Sequence, residues 1–571
     1  MDPIEPFRKE LVDAVMKGLK GMGVEQPFEI EIPSTEIADF AIPCFQFAKV
    51  LKRSPSSIAS ELASCIPKLE FISEVWSERG YLNFKLDEAK LIEITLNEIL
   101  DTKKEYGKWP PNGISILLEH TSVNPTGPLH IGRARNPLIG DTLARFLKLC
   151  GYEVVTEYYV NDVGKQVVLL AWGLENISPS EVEISERDKA DHRLVKYYQK
   201  ANELMESDQE VSDKISDMLR KFEAGDLDTI EKVRRTAETM LAGIRQSLDD
   251  VGVTLDRFTW ESEFIIDGSA KEVVDRLKAS KYCLEEDGAF FLDMSEFGVH
   301  GRDVKFFFTR SDGTTLYTTR DMAYHLSKFK RADQLINVLG EDQKLGMIHL
   351  AIALRILGVQ KAPENLFYSF VSLPEGRMST RKGRVVTLDD LIEEAEDRAL
   401  DEVKKRRIDL PEEKMRSIAR DIGRSAIRFN MIHVQAEKPI IFRWEDALNF
   451  EGNSAPFVQY AHARACSILR KAGEYEAVVD PSLLIDAYER RLIRVLARYP
   501  GIVKECGEKR KIHLMPTYGH ELASAFNQFY AYVPVLKAGE ARDARLCLVE
   551  ASRWVLRNCL ESMGLGAPEE M

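Results

Sequence analysis

The chain has 571 residues, is 44% hydrophobic and 30% charged, and carries a net charge of −14. That length calls for about three or four domains with ordinary globular cores. It holds no apolar run near the roughly 20 residues that cross a bilayer. The opening MDPIEPFRKELVDAVMKGLKGMG predicts an amphipathic helix without a signal-peptide core, so a cytoplasmic protein without a membrane partner is expected. The eight cysteines stand singly with no C-x-x-C pair. Neither a disulfide framework nor a structural metal is signalled. The acidic total argues against DNA. Residues 460–571, however, hold 16 Lys+Arg against 14 Asp+Glu, and RNA binding depends on local patches rather than on the total.

Residues 1–87 read as a small α/β module. The opening helix precedes strand candidates at Phe28–Pro33 and Asp39–Pro43, a helix near Ser57–Ser64, and strands at Phe71–Trp76 and Gly80–Leu86. A charged linker, Thr102 to Trp109, leads through Pro110-Pro111 to Ile114–Leu118, an apolar run that predicts a buried strand. Pro125, Gly127 and Pro128 then break the chain, and helical spacing resumes at Leu138, Ile139, Leu143 and Phe146. His130-Ile131-Gly132-Arg133 therefore sits where a strand hands over to a helix N-terminus. Free backbone N–H groups and the helix dipole make such a corner a phosphate site. Gly132 allows a flat ring to approach the backbone, and His130 and Arg133 offer donors to a reacting phosphate.

A second buried strand at Tyr152–Val160 ends in Asn161-Asp162-Val163-Gly164-Lys165-Gln166. From about 171 to 307 the chain reads as an insertion. Its first part is helical, with i,i+4 charge pairs over 182–248. Strand candidates follow at Trp260–Phe264 and Ala289–Asp293. The second half of the sheet returns with Ser311–Asp321, in which Tyr317 and Asp321 share a face if that turn is helical, and then a helix carrying Tyr324 and His325. The apolar strand Leu335–Gly340 follows, with Glu341-Asp342-Gln343 at its end. Strand ends are where open α/β sheets bind ligands. A basic loop, Glu375-Gly376-Arg377-Met378-Ser379-Thr380-Arg381-Lys382-Gly383, precedes a helical stretch over 388–433, and the rest from about Asn453 is helical.

The string EHTSVNPTGPLHIGRARN, from Glu119 to Asn136, resembles the signature of class I aminoacyl-tRNA synthetases, and closely that of arginyl-tRNA synthetases. This chain has Arg133 where the family usually has a second histidine. The Arg377–Gly383 loop stands where class I enzymes carry K-M-S-K-S, with Arg377 in the first lysine's place and Lys382 two positions beyond the second's. The likeness continues in the Gly80-Tyr81-Leu82-Asn83-Phe84 string, in the Y-V-N-D-x-G-x-Q string, and in both ends of the C-terminal helical region.

The resemblance implies attachment of L-arginine to tRNA(Arg) through an arginyl-adenylate, using ATP with Mg²⁺, in an enzyme expected to be a monomer. The implied fold is multidomain α/β plus all-α. A Rossmann-like parallel-sheet catalytic domain at 110–395 carries the insertion. Before it lies an N-terminal module at 1–87 that touches the tRNA D-loop. A connecting region at 396–452 and an anticodon-binding helical bundle at 453–571 follow it. The implied catalytic residues are His130, Gly132, Arg133, Arg377 and Lys382. Glu119, Asn124, His130, Tyr317, Asp321 and His349 would hold arginine. A guanidinium cannot lose its proton, so its site needs carboxylates. Gly127, His130, Gly132, Arg133, Met378, Ser379 and Lys382 would hold ATP. Tyr81, Asn83, Phe457, Tyr460, Arg464, Phe526 and Met571 would contact tRNA by stacking and hydrogen bonding. The rival readings are a non-catalytic tRNA-binding paralogue and a class I synthetase for another amino acid.

Overall fold

The computed structural model describes residues 2–33, 38–374 and 386–571. The expectations placed on Arg377, Met378, Ser379, Arg381 and Lys382 fall outside them. At the centre lies a five-stranded parallel sheet. In chain order its members are β4 (Ser115–Glu119), β5 (Glu153–Val160), β6 (Arg257–Trp260), β10 (Gln334–Gly340) and β11 (Glu364–Tyr368); across the sheet they run β11-β10-β4-β5-β6. Strands covered on both faces must be apolar along their length. Ile116, Leu117 and Leu118 of β4 and Leu335, Ile336 and Val338 of β10 are accordingly buried. The chain leaves β4 towards β5 on one side and returns to β10 on the other. That reversal opens a crevice at the C-terminal strand ends. In register there, Glu119 faces Asn337 on one side and Glu157 on the other.

Two sequence expectations are corrected. Trp260–Phe264 is not a strand of the insertion. Residues 257–260 form β6 and pair in parallel with Glu157–Val160, and a helical turn, Glu263–Ile266, follows. The insertion is thus interrupted by a strand of the central sheet. Three long helices, Ala190–Ser207, Gln209–Glu223 and Leu227–Asp250, precede β6. A separate antiparallel sheet of β7 (Cys283–Glu286), β8 (Ala289–Asp293) and β9 (Lys305–Phe307) follows it. The reason is local. Thr259 is buried and its hydroxyl meets Glu157 at 2.5 Å, which holds this short segment at the sheet edge. In the N-terminal module, Phe28–Pro33 contributes only a single bridge, Glu31 to Ala41. Its sheet is β1 (Phe40–Pro43), β3 (Tyr81–Leu86) and β2 (Ile72–Glu78), with β3 in the middle.

The linker 102–109 is pinned rather than free. Tyr106 is buried, stacks on Tyr499 and donates its hydroxyl to the Leu496 carbonyl at 3.0 Å. Nearby, Arg494 joins Asp39 and Glu88, and Arg490 meets Glu88 at 2.6 Å. The N-terminal module is therefore clamped to the C-terminal helices.

Two buried guanidinium groups tie the signature helix, Ile131–Leu149, to distant segments. Arg135 donates to the carbonyls of Ser369, Met431, Ala436 and Lys438 at 2.7–3.0 Å. Arg428 donates to Asp141 at 2.5 Å and to the carbonyls of Val251 at 2.6 Å and Met563 at 3.0 Å. Asp141 is the carboxylate on Arg428, which holds it below the usual carboxylate range against the opposing effect of burial. Asp141→Ala should destabilise the fold by about 3–5 kcal/mol, the usual effect of stranding a buried charge. A urea-unfolding difference under about 1 kcal/mol would contradict this role.

His120 covers the same helix from the other side. A methyl on Gly140 would lie 2.2 Å from its ring, so only glycine admits the contact. Burial pushes the His120 imidazole down to about 4, against Asp141 and Asp256, which act to raise it. Its unfolded value lies near 6.5, so the unfolded chain takes up the proton first as pH falls. The folded state should lose about 3 kcal/mol from this group between pH 6.5 and 4. His120→Gln should flatten that part of the stability–pH curve; an unchanged slope would show that His120 titrates normally.

Candidate active site

The signature corner is joined to the end of the basic loop by backbone. Ile131 N donates to Val386 O at 3.0 Å, Leu388 N donates to Leu129 O at 2.7 Å, and His130 bridges Thr387. Pro374 and Val386, the described residues on either side of the loop, line the same cleft as Gly127, His130 and Arg133. That cleft has a volume of about 1310 Å³. His130 is the N-cap residue of the signature helix, and its Nδ1 is buried with no partner among the described residues. Burial and the nearby Arg133 charge hold its imidazole below the ordinary histidine value, so it is neutral at pH 7. Gly132 does admit a flat ring, but the ring is that of His130, whose atoms lie 3.2 Å from where a Cβ would stand. Arg133 is exposed in the cleft and forms no ion pair with a described residue. Gly127 lies beneath Val195 of the helix Ala190–Ser207, 3.1 Å from its would-be Cβ.

That helix is latched in place. Lys189 reaches Asp389 at 2.7 Å and Asp191 at 3.3 Å, and His192 Nε2 meets Asp389 at 2.7 Å. Arg187 pairs with Asp390 and Glu393. The ligand atoms of Asp191, His192 and Asp389 lie close enough to hold a metal ion, but the Lys189 ammonium already sits among them.

Behind the cleft, the helix Tyr317–Phe329 brings a row of side chains to the ends of β4 and β10. Lys328 is fully buried. Its ammonium meets Glu119 Oε2 at 2.7 Å and Asn337 Oδ1 at 2.9 Å, and lies 4.3 Å over the Tyr324 ring. Asn337 Nδ2 meets His325 Nε2 at 3.1 Å, and His325 Nδ1 lies 3.1 Å from Asp321 Oδ1. Glu119 and Asp321 are thus the two ends of one buried polar chain, each 7% exposed. Tyr317 stands at the first turn, 44% exposed. Alongside, Arg320 binds the fully buried Glu261 at 2.5 Å.

The turn after Glu119 is strained. Thr121 and Ser122 have φ of +72° and +36°, and a β-branched residue there is a true outlier. It is held by Asn136 Oδ1, which accepts from Thr121 N at 2.7 Å, and by Ser122 Oγ, which lies 3.2 Å from Glu119 Oε1 and 3.0 Å from Tyr159 N.

Asn124 lines the cleft and donates to Gln166 at 3.3 Å. His349 is buried against Phe306, ring centroids 5.2 Å apart, and its Nε2 has no partner among the described residues. No contact joins it to Glu119 or Asp321. Sequence reasoning missed Lys328, His325, Asn337 and Glu261. One signal was present: Asn337 is the lone polar residue in the apolar run Leu335–Gly340. Tyr317, Asp321, His325 and Lys328 also share one helical face at spacings of four, four and three.

The positions expected to meet tRNA divide by exposure. On β3, Tyr81, Asn83 and Lys85 turn to one face while Leu82, Phe84 and Leu86 enter the core. In the C-terminal bundle Tyr460 is 40% exposed. The Arg464 guanidinium lies 4.7 Å from the Tyr460 ring and 5.3 Å from that of Tyr530, an exposed tyrosine the sequence did not single out. Phe457 is half-buried against His520. Phe526 is a correction. It is fully buried beside Phe529, so it is core and cannot stack on a base. Met571 is half-buried in an apolar cluster with Leu410, Met415, Leu448 and Phe450. Arg407 binds its carbonyl at 3.0 Å, and Glu570 pairs with Lys414 and Arg470.

Comparison with known proteins agrees with this layout. The family model for the class I (R) tRNA synthetase catalytic domain matches residues 95–444. The DALR anticodon binding domain matches 458–571, and the arginyl tRNA synthetase N-terminal domain matches 7–86. The chain is 48% identical to the arginine–tRNA ligase of Methanocella arvoryzae, over 96% of each chain. It is 41% identical to that of Methanothermobacter thermautotrophicus over 99% of each. Among solved structures it superposes on Thermus thermophilus arginyl-tRNA synthetase with a TM-score of 0.84 and 30% identity, covering 99% of this chain and all of that one. With a family model across more than half its length and full-length relatives at this identity, the chain belongs to the arginyl-tRNA synthetases of class I.

Proposed function

We propose that the enzyme joins L-arginine to tRNA(Arg) in two steps at the β4/β10 crevice. The arginine carboxylate attacks the α-phosphate of ATP in line and pyrophosphate leaves. The terminal ribose hydroxyl of the tRNA then attacks the adenylate carbonyl and AMP leaves. The protein's work is positioning and charge neutralisation rather than covalent chemistry. The observation that carries this reading is the backbone pairing of Leu129–Ile131 with Val386–Leu388. It supports two cationic motifs acting from opposite sides of one triphosphate. Mg²⁺ enters with ATP as part of the substrate. His130 and Arg133 act on the phosphates, together with Arg377 and Lys382. Asp321, Glu119 and Tyr317 take the guanidinium, and Asn124 and His130 take the α-amino and carboxylate groups.

Residues 1–87 are assigned to the outer corner of the tRNA through the face of Tyr81 and Asn83. The region 396–452 is assigned to the stem, and 453–571 to the anticodon through Tyr460, Arg464 and Phe457. A monomer in the cytoplasm is the working state. No helix among the described residues is long and apolar enough to cross a membrane. ATP–pyrophosphate exchange with each amino acid, with and without tRNA, tests the whole reading. Arginine should be the one amino acid that supports exchange, and only with tRNA present; exchange with another amino acid, or none with arginine, would overturn the reading.

Two variants separate the sub-sites. Lys328 already pairs with Glu119, so Asp321 carries the charge that answers the guanidinium. Asp321→Asn should raise the KM for arginine about 30-fold or more, the effect of losing a buried charge-assisted pair. The KM for ATP should stay within about twofold. An unaltered arginine KM would remove Asp321 from the site. Arg133→Ala should slow adenylate formation by roughly 10²-fold, as loss of a donor to developing charge does, with the arginine KM nearly unchanged. A wild-type rate in single-turnover measurements would show that Arg133 is a bystander.

A further inference from the structure

Tyr159 and Tyr324 are stacked, buried tyrosines whose hydroxyls have no hydrogen-bond partner among the described residues, and Tyr159 is the one whose ring also lies against Tyr317. Tyr159 is the penultimate residue of β5, two positions beyond Glu157, which pairs with Glu119. The residue is 3% exposed, yet its Oη has no hydrogen-bond partner among the described residues. Everything else about it is fixed. Its ring stacks on Tyr324 at 4.2 Å and 8°, lies 6.5 Å from the Tyr317 ring, and touches Phe264 on a third side. Its backbone N–H is held by Ser122 Oγ, in the strained turn after Glu119. Buried hydroxyls in folded proteins nearly always find a partner. A rigidly held hydroxyl without one is preorganised for a ligand.

The pocket is also short of acceptors. A guanidinium brings five N–H donors and no acceptor. One Glu119 oxygen is occupied by Lys328 and the other lies against Ser122. Glu261 is committed to Arg320. Asp321 and the Tyr317 hydroxyl, with the lone pairs Glu119 has left, answer only part of a planar fork of five donors. We infer that the Tyr159 phenol oxygen accepts a guanidinium N–H of the bound arginine, making Tyr159 a direct, specificity-determining contact. This rests on the arginine reading of the Glu119–Asp321 pocket proposed above. The phenol then turns its own proton towards a carboxylate oxygen, so neither group is left unpaired. Burial, with Glu261, Tyr317 and Asp321 nearby, keeps the phenol protonated. A neutral acceptor suits a planar fork of donors. It adds no charge that would reward a lysine ammonium equally.

Tyr159→Phe keeps the stack and removes only the oxygen. Calorimetric titration with L-arginine should show affinity reduced roughly 5- to 100-fold, the range for an unpaired buried donor. ATP affinity should be unchanged. The melting midpoint should be unchanged or higher, because an unsatisfied hydroxyl is gone. Unchanged arginine affinity with a raised midpoint would overturn the inference and leave Tyr159 a core tyrosine. Equal losses of arginine and ATP affinity would overturn it too, as general disorder. Asp321→Asn, titrated alongside, separates the two levels. If it loses arginine and Tyr159→Phe does not, only this inference falls. If neither variant changes arginine binding, the assignment of the pocket falls with it.

Discussion

The site depends on one buried ion pair. Lys328 and Glu119 lie 209 residues apart and meet at 2.7 Å where two central strands end. Neither tolerates isolation there, because an unpaired charge in that position would be destabilising by several kcal/mol. Their pairing fixes the helix Tyr317–Phe329 against the sheet. It also sets the facing Asp321 at the rim through Asn337 and His325.

Around that pair the chain is drawn together by cations that hold backbone. Arg135 and Arg428 are nearly inaccessible and collect carbonyls from segments hundreds of residues apart. A guanidinium suits this because its five donors spread over a plane. The consequence is mechanical. The signature helix is hydrogen-bonded to the strap following the basic loop and, through Arg428, to the end of the C-terminal helix. The cleft between the signature corner and the latched helix Ala190–Ser207 stays open, with Arg133 exposed in it.

Much of this could be read from the string Glu119–Asn136. A strand, a Pro- and Gly-broken turn and an apolar helix stand there in order, and the corner they make has only a few physical uses. The alternation in Tyr81–Leu86 was legible for the same reason. What failed did so where local pattern underdetermines place. Trp260–Phe264 looks like any short strand, and its sequence does not say which sheet it joins. Phe526 has the spacing of either a core or a stacking aromatic, and its neighbours decided for core. Met571 is seated by residues 407–450, far from it in sequence. Lys328 carries no motif; its pairing exists only once strand ends and helix meet.

The central claim is that Glu119 and Lys328 act as one charge-balanced unit. A double-mutant cycle of Glu119→Gln and Lys328→Met, read by urea unfolding, tests it directly. Each single variant should be destabilised and the double variant should recover stability, with a coupling of about 2 kcal/mol or more, as for a buried pair. Additive losses would show that the two residues are neighbours without dependence, and that the arginine pocket is ordered by something else.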